Sequence, residues 1–160
     1  MFPSTLQRYG QRVAGNSDVA IEGLHQTIRE AAASLWSDGY YRQAVVEAAE
    51  ALAQHVKAIL GRRDIGDTAA WQKVFAERGS ECKEPCLRWP GDPTDRTVRS
   101  INEGLRHFAP GAYLLIRNTA VHSTDALSRQ DALERLAVLS LLARYVDGCE
   151  TICVDERAAV

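Results

Sequence analysis

The sequence predicts an all-α protein, a bundle of four to five main helices with no sheet. Apolar residues recur at the i, i+3, i+4 spacing of a helix in several separate segments. No segment shows the apolar–polar alternation of a half-buried strand, and no repeat with a period of roughly 20 to 50 residues is visible. Glycine, proline and aspartate residues separate the periodic segments, so we expect antiparallel helices joined by short loops.

The clearest helix is predicted over residues 40–60, where alanines and valines dominate the apolar positions. Gly61 is a natural C-cap for it, and the many alanines favour a closely packed partner helix. An earlier helix is predicted over 18–37, after a possible N-cap at Ser17 and Asp18. Polar side chains of the helix over 40–60 are assigned to its solvent face: Arg42, Gln43, Glu47, Glu50, Gln54 and Lys57.

Four further helices are predicted over 68–78, 95–108, 111–122 and 125–147. Pro110 lacks a backbone N–H, so it is expected to kink or restart the chain between the second and third of these helices. Residues 79–94 contain three prolines and show no period, which predicts a long loop.

The chain of 160 residues is expected to form one domain, and it is long enough to bury a core without disulfides or metals. We divide it into a flexible N-terminal arm over 1–16, a helical domain over 17–148 and a C-terminal tail over 149–160.

The composition is that of an ordinary globular protein, with 46% apolar and 25% charged residues. A net charge of −2 argues against bulk electrostatic binding of nucleic acid, so any such contact needs a local basic cluster. No apolar run approaches the roughly 18–20 residues of a membrane-spanning helix, and the N-terminus lacks the apolar stretch of a secretory signal. We therefore expect a cytoplasmic protein with no membrane partner.

The four cysteines form two C-x3-C pairs, Cys82 with Cys86 and Cys149 with Cys153. Reduced thiols are expected in a cytoplasmic protein, and the second pair could share one helix face as small buried residues. A zinc site of four thiolates remains an alternative, although zinc sites more often use C-x2-C, and so does a disulfide within the first pair. We expect no cofactor and no metal.

The segment IRNTAVH, residues 116–122, contains the candidate catalytic residues Arg117, Asn118 and His122. The amide and the imidazole stand four positions apart, so Asn118 could orient His122, whereas Arg117 lies about 140° from His122 on a straight helix. A histidine can transfer a proton and a guanidinium can stabilise a phosphorane, which suits RNA cleavage by the ribose 2′-hydroxyl without a metal. The alternative is an ordinary helix end, with a salt-bridged arginine and a histidine favoured by the helix dipole.

Two blocks of the chain resemble a known superfamily. LWSDGYYRQAVVEAAEAL at 35–52 is similar to a "dG-Y-xx-A-xx-A" helix. GAYLLIRNTAVH at 111–122, followed by ALERLAVLSLLARYV at 132–146, is similar to a "Ga-xxx-iRNp-xaH" segment and the helix behind it. Both patterns resemble the HEPN superfamily, and within it the Ymh-type group. The chain departs from the group at Thr119, where proline is usual, and at Tyr40, where histidine is frequent.

The resemblance implies a HEPN-like helical bundle that forms a homodimer, with the two motifs facing each other across the interface. It implies a metal-independent endoribonuclease with Arg117, Asn118 and His122 as catalytic residues. RNA would be left with 2′,3′-cyclic phosphate and 5′-hydroxyl ends. A toxin–antitoxin or anti-phage defence setting, with an antitoxin or sensor partner, is expected on the same ground. Other members are only RNA-binding or interaction modules, so a non-catalytic all-α module remains the alternative.

Three further residues are candidates for substrate binding. Tyr40 could stack on a base, or it could be part of a turn with its neighbours. Glu47 lies on the polar face of the helix over 40–60, where a polar residue can assist the motif in the resembled superfamily. Arg88 belongs to a modest basic and aromatic cluster with Trp89 in the long loop, although a tryptophan that anchors the loop to the core is the favoured interpretation there.

Overall fold

The computed structural model describes residues 20–76, 85–122 and 125–152, and it confirms the all-α class. The predicted arm over 1–16 lies outside the described residues. The helices are α1 (Gln26–Ser37), α2 (Tyr41–Leu60), α3 (Asp67–Val74), α4 (Arg96–Tyr113), α5 (Thr119–His122) and α6 (Arg129–Gly148). A π-helical segment, Leu114–Asn118, joins α4 to α5. Strand β1 (Cys86–Arg88) lies between α3 and α4, and β2 (Glu150–Ile152) follows α6.

Helix α2 forms the centre of the bundle, and most of its apolar side chains are buried. Helices α1, α3 and α6 pack against it, and so do the π-segment and α5. Its small residues let these neighbours approach closely, as the alanine content predicts. Six of them are fully buried: Ala44, Val45, Ala48, Ala49, Ala53 and Val56.

The helix predicted over 18–37 is interrupted at residues 23–25, and α1 begins only after His25. The His25 Nδ1 atom accepts the N–H of Thr27 at 3.3 Å, so the histidine caps the helix. The His25 backbone N–H donates to the hydroxyl of Ser140 at 2.7 Å, which ties this cap to α6. The start of α1 therefore depends on a tertiary contact with α6, which cannot be predicted from the residues around His25.

Helix α4 passes through Pro110, contrary to the predicted break, and continues to Tyr113. Proline removes one N–H and disturbs the preceding turn, but it does not end a helix that is packed on both sides of it. The chain instead widens just beyond the proline, at the π-helical segment. The two helices predicted over 95–108 and 111–122 are thus one continuous helical rod with a local irregularity.

A two-stranded antiparallel sheet corrects the prediction that no strand is present. Strand β1 pairs with β2, and Arg88 stands opposite Glu150 in the ladder. Each strand has only three residues, too few to show a period of two in the sequence. Strand β1 lies in the predicted loop over 79–94, and β2 lies in the predicted tail over 149–160. The pairing of segments so far apart in the chain is decided by tertiary packing.

Candidate active site

The segment IRNTAVH lies where the helical rod widens from α4 into α5. A π-turn leaves a carbonyl without its usual partner, and such turns are often found at functional sites. Here the Thr119 hydroxyl donates to the carbonyl of Leu115 at 2.6 Å. The φ angle of Thr119 is −66°, which is also the value that a proline ring imposes. A proline at position 119 would thus keep this φ, but it would lose the hydrogen bond that the Thr119 N–H donates to the carbonyl of Ile116.

Arg117 is a half-buried residue at the end of the π-segment, and its guanidinium faces α2. The Nη2 atom lies 3.9 Å from a carboxylate oxygen of Glu50. The Nη1 atom lies 3.5 Å from Oδ1 of Asn118, at the outer limit of a hydrogen bond. The Nε atom is buried and has no acceptor in the described part of the chain. Both contacts lie near the distance limits, so the guanidinium keeps N–H groups that donate to no close partner among the described residues.

His122 ends α5, and its side chain is exposed. Asn118 and His122 are four positions apart on consecutive turns, so they lie on the same side of the rod. Among the residues that the structure describes, no hydrogen bond joins His122 to either of the other two candidates. The structure thus brings Arg117 and Asn118 into contact and leaves the imidazole open to solvent.

A buried polar network lies beside Arg117. Lys57 is only 7% exposed, and its Nζ atom lies 2.5 Å from Oδ1 of Asp67 at the start of α3. The hydroxyl of Tyr113, the last residue of α4, donates to Oδ2 of the same carboxylate at 2.7 Å. The assignment of Lys57 to the solvent face of α2 was therefore wrong. Its charge is buried because Asp67 compensates it.

The network has a defined protonation state at neutral pH. Burial opposes ionisation of Asp67, but hydrogen bonds from Lys57 and Tyr113 outweigh it and lower the pKa of this carboxyl below its ordinary 3.8. Burial, together with the hydrogen bond to Asp67, raises the pKa of Tyr113 far above its ordinary range. Asp67 is therefore ionised and Tyr113 is protonated. The tyrosine acts as a hydrogen-bond donor and does not serve as a general base near neutral pH.

The three residues predicted to bind substrate occupy three different places. Tyr40 precedes α2 and is 57% exposed. Glu47 is exposed on α2, and Glu50, one turn further along, is the carboxylate beside Arg117. Arg88 lies in β1, where its guanidinium donates to the carbonyls of Leu87 and Ala76.

Sequence reasoning missed Glu50, Asp67 and Tyr113 as neighbours of Arg117. Glu50 was one of several polar residues on the same helix face, and only the three-dimensional packing selects it. Asp67 lies in the first turn of a helix, where the helix dipole favours acidic residues, so nothing in the sequence indicated a tertiary role for it. The spacing between Tyr113 and Arg117, four positions, was a usable signal, because such residues share a helix face.

Within residues 20–76, 85–122 and 125–152, no group of three or more potential ligands is arranged to hold a metal ion. Cys86 is buried in β1, and Cys149 follows α6. Burial raises the pKa of Cys149 to about 11, so its thiol is protonated at neutral pH. Cys82 and Cys153 lie outside the described residues, so the zinc and disulfide alternatives that need them stay predictions.

The fold and this site define a helical-bundle protein with an arginine, an asparagine and a histidine on one irregular helix. The chain belongs to the Ymh family, described as a protein of unknown function, whose model matches residues 22–146. The match includes the central helix and the whole candidate site. No curated protein and no solved structure matches the chain. In the described part of the chain, no helix is long and apolar enough to cross a membrane.

Proposed function

We propose that this protein is a metal-independent endoribonuclease of HEPN type. It would cleave RNA by attack of a ribose 2′-oxygen on the adjacent phosphorus, with loss of the 5′-oxygen of the next nucleotide. The products would carry 2′,3′-cyclic phosphate and 5′-hydroxyl ends. The observation that carries the proposal is the position of Arg117. Within the described residues its guanidinium makes only long contacts, of 3.5 and 3.9 Å, and the exposed His122 follows on the same helical rod.

The chemistry needs two proton transfers and one stabilised charge. A base takes the proton of the 2′-hydroxyl, and an acid gives a proton to the leaving 5′-oxygen. His122 suits either transfer, because a neutral imidazole nitrogen can accept a proton and an imidazolium can donate one. Arg117 suits the negative charge that builds on the phosphorane oxygens, since a guanidinium offers two parallel N–H donors. Asn118 would orient His122 once the substrate fills the site.

One imidazole can perform only one of the two transfers in a single step, so a second copy of the chain would complete the site. The surface beside the motif supports a homodimer. A groove of about 730 Å³ runs between α6 and the rod formed by α4 and the π-segment, and Phe108, Leu115 and Val138 line it. Leu115 is 69% exposed and Phe108 is 40% exposed, so the groove presents two large apolar side chains to solvent, as an interaction surface does.

The dimer is tested by the mass of the protein in solution. Leu115→Asp places a charge in the groove and is expected to convert a dimer into a monomer in multi-angle light scattering. Gln43→Asp, on an exposed position of α2, is the matched control and should leave the dimer intact. A wild-type monomer over the whole concentration range, or a dimer that Leu115→Asp leaves unchanged, would contradict this part of the proposal.

The activity is tested by incubating the purified protein with mixed RNAs in EDTA and analysing the fragment ends. Cyclic-phosphate ends are expected from the wild type. His122→Ala and Arg117→Ala should each lose at least about a hundredfold in rate, the usual contribution of such groups. His55→Ala removes another partly exposed histidine, which contacts Asp147, and should keep the activity. Cleavage that is equal in wild type and His122→Ala would rule out the assigned site.

A folded wild type that cleaves no RNA in the mixture would favour the non-catalytic alternative, an RNA-binding or dimerisation module. The groove beside the motif is expected of a dimerisation module as well as of a dimeric nuclease, so only the cleavage assay separates the two. The wider setting that we propose rests on the resemblance: a cytoplasmic protein in a toxin–antitoxin or anti-phage system, with an antitoxin or a sensor as partner. A protein whose co-expression relieves the toxicity of this chain in cells would be identified as such a partner.

A further inference from the structure

A second concave surface lies at the other end of α4, where the sheet and the segment after β1 meet the start of the helix. This cavity has a volume of about 760 Å³, within the usual range for ligand pockets. Four arginines line it, Arg88, Arg96, Arg99 and Arg106, together with two glutamates, Glu103 and Glu150. The cavity wall therefore carries two net positive charges, in a protein whose whole chain carries a net charge of −2.

Two of the four arginines are held by contacts within the fold. Arg106 forms an ion pair with Glu103, with its Nη2 atom 2.6 and 2.7 Å from the two carboxylate oxygens. Arg88 donates to backbone carbonyls. Arg96 and Arg99 are exposed, and the side chain of neither forms a hydrogen bond or an ion pair within the described residues. The cavity thus has two guanidinium groups without a partner in residues 20–76, 85–122 and 125–152.

These two arginines stand where a helix disfavours positive charge. Helix α4 begins at Arg96, so both lie within its first four residues, next to the positive end of the helix dipole. They are three positions apart and repel each other. The carboxylate of the preceding Asp95 accepts the backbone N–H groups of Thr97 and Val98. Local stability does not explain the two arginines, and such conflicts between sequence and structure are typical of functional sites.

We propose that this cavity binds the phosphate groups of a nucleotide, either free or as part of an RNA strand. Guanidinium groups suit phosphate because they donate two parallel N–H groups to its oxygens. A pair of them three positions apart can engage more than one phosphate. Trp89 also lines the cavity and is partly exposed, so it offers an aromatic surface on which a base can stack.

The site is distinct from the proposed catalytic residues. Arg99 and Arg117 stand 18 positions apart on one helical rod, which is roughly 27 Å along its axis. A nucleotide in the cavity would not occupy the motif. The inference concerns binding and does not rest on the proposed nuclease activity, so the two can fail independently.

The test measures binding of two probes by the full chain. Adenosine triphosphate represents the free nucleotide, and a short fluorescein-labelled oligouridine represents an RNA strand, while adenosine serves as the probe without phosphate. Arg99→Ala and Arg96→Ala are each expected to weaken binding by about tenfold or more. Arg63→Ala, which removes an exposed arginine outside this cavity, has the same change in net charge and should leave binding unchanged.

Two further readouts separate a ligand contact from a structural role. The oligouridine affinity of Arg99→Ala should fall less steeply with salt, by about 0.7 in the logarithmic slope for each lost phosphate contact. The melting temperature should stay the same or rise slightly, because a destabilising charge is removed. Binding of either probe with these responses supports the site, and the probe that binds identifies the source of the phosphate. The inference is overturned if neither probe binds, if adenosine binds equally well, or if Arg63→Ala has the same effect.

Discussion

Replacement of Asp67 by asparagine tests the buried network beside Arg117. Lys57 is 7% exposed, and Asp67 is its charged partner at 2.5 Å. Removal of one member of such a buried pair leaves an uncompensated charge, which costs about 3 kcal/mol. In a chain of 160 residues, that loss should lower the melting temperature by roughly 6 to 12 °C. Urea unfolding followed by circular dichroism measures the change in free energy directly.

A double-mutant cycle shows whether the loss comes from the pair. Lys57→Met alone should cost less than Asp67→Asn, because Asp67 keeps its hydrogen bond from Tyr113 and is partly exposed. The double variant should be less destabilised than the sum of the two single variants by at least about 1 kcal/mol. Asp64→Asn is the control, since Asp64 is exposed and its ion pair with Arg62 should contribute less than about 1 kcal/mol.

The same network gives a pH dependence with a defined sign. The pKa of Asp67 is lower in the folded protein than its ordinary 3.8, because the hydrogen bonds from Lys57 and Tyr113 outweigh its burial. The stability it contributes is therefore fully present above about pH 4 to 5 and is lost as the pH falls through the folded pKa. Asp67→Asn should lack this part of the acid dependence. The reasoning is refuted if Asp67→Asn unfolds within about 0.5 kcal/mol of the wild type, a change typical of neutral surface substitutions.

Three smaller predictions concern packing, the π-segment and a thiol. A Cβ atom on Gly148 would lie 2.8 Å from the Trp89 ring, so Gly148→Ala should lower the melting temperature of the protein. A Cβ atom on Gly104 meets open space within a helix, so Gly104→Ala should instead stabilise the protein by about 0.5–1 kcal/mol. Thr119→Val removes the donor to the Leu115 carbonyl and should cost about 1 kcal/mol in urea unfolding. Burial raises the pKa of Cys149 to about 11, so its alkylation at pH 8 should be roughly a hundredfold slower than that of an ordinary thiol. Peptide mass spectrometry measures the rate of alkylation. A rate equal to that of an ordinary thiol would contradict the burial of Cys149.

The sequence predicts elements well where their signal is long and local. Helix α2 has 20 residues with helical periodicity throughout, and its observed start and end differ by at most one residue from the prediction. The strands could not be predicted, because three residues carry no period and their partners are more than 60 positions apart. The π-segment was hidden for a related reason, since Pro110 indicates a disturbance but not whether a packed helix will break or widen.

The candidate site shows the same division. The sequence analysis paired Asn118 with His122 by their spacing, whereas the structure places Oδ1 of Asn118 3.5 Å from Nη1 of Arg117. Lys57 was assigned to the solvent face because lysines are rarely buried, a rule that fails when a partner from another helix supplies the opposite charge. The four arginines of the second cavity all lie between residues 88 and 106, but the sequence does not show that β1 packs near the start of α4 and forms one cavity with it.

The buried network also bears on how Arg117 is positioned. Tyr113 is 1% exposed and hydrogen-bonded to Asp67, so it fixes the rotation of the rod one turn before Arg117. If the proposed activity exists, Asp67→Asn should therefore lower cleavage even at temperatures where it is fully folded. Gly148→Ala is the comparison, because it should destabilise the protein at a different place. Equal activity of the two variants, both folded, would mean that the network stabilises the bundle without positioning Arg117.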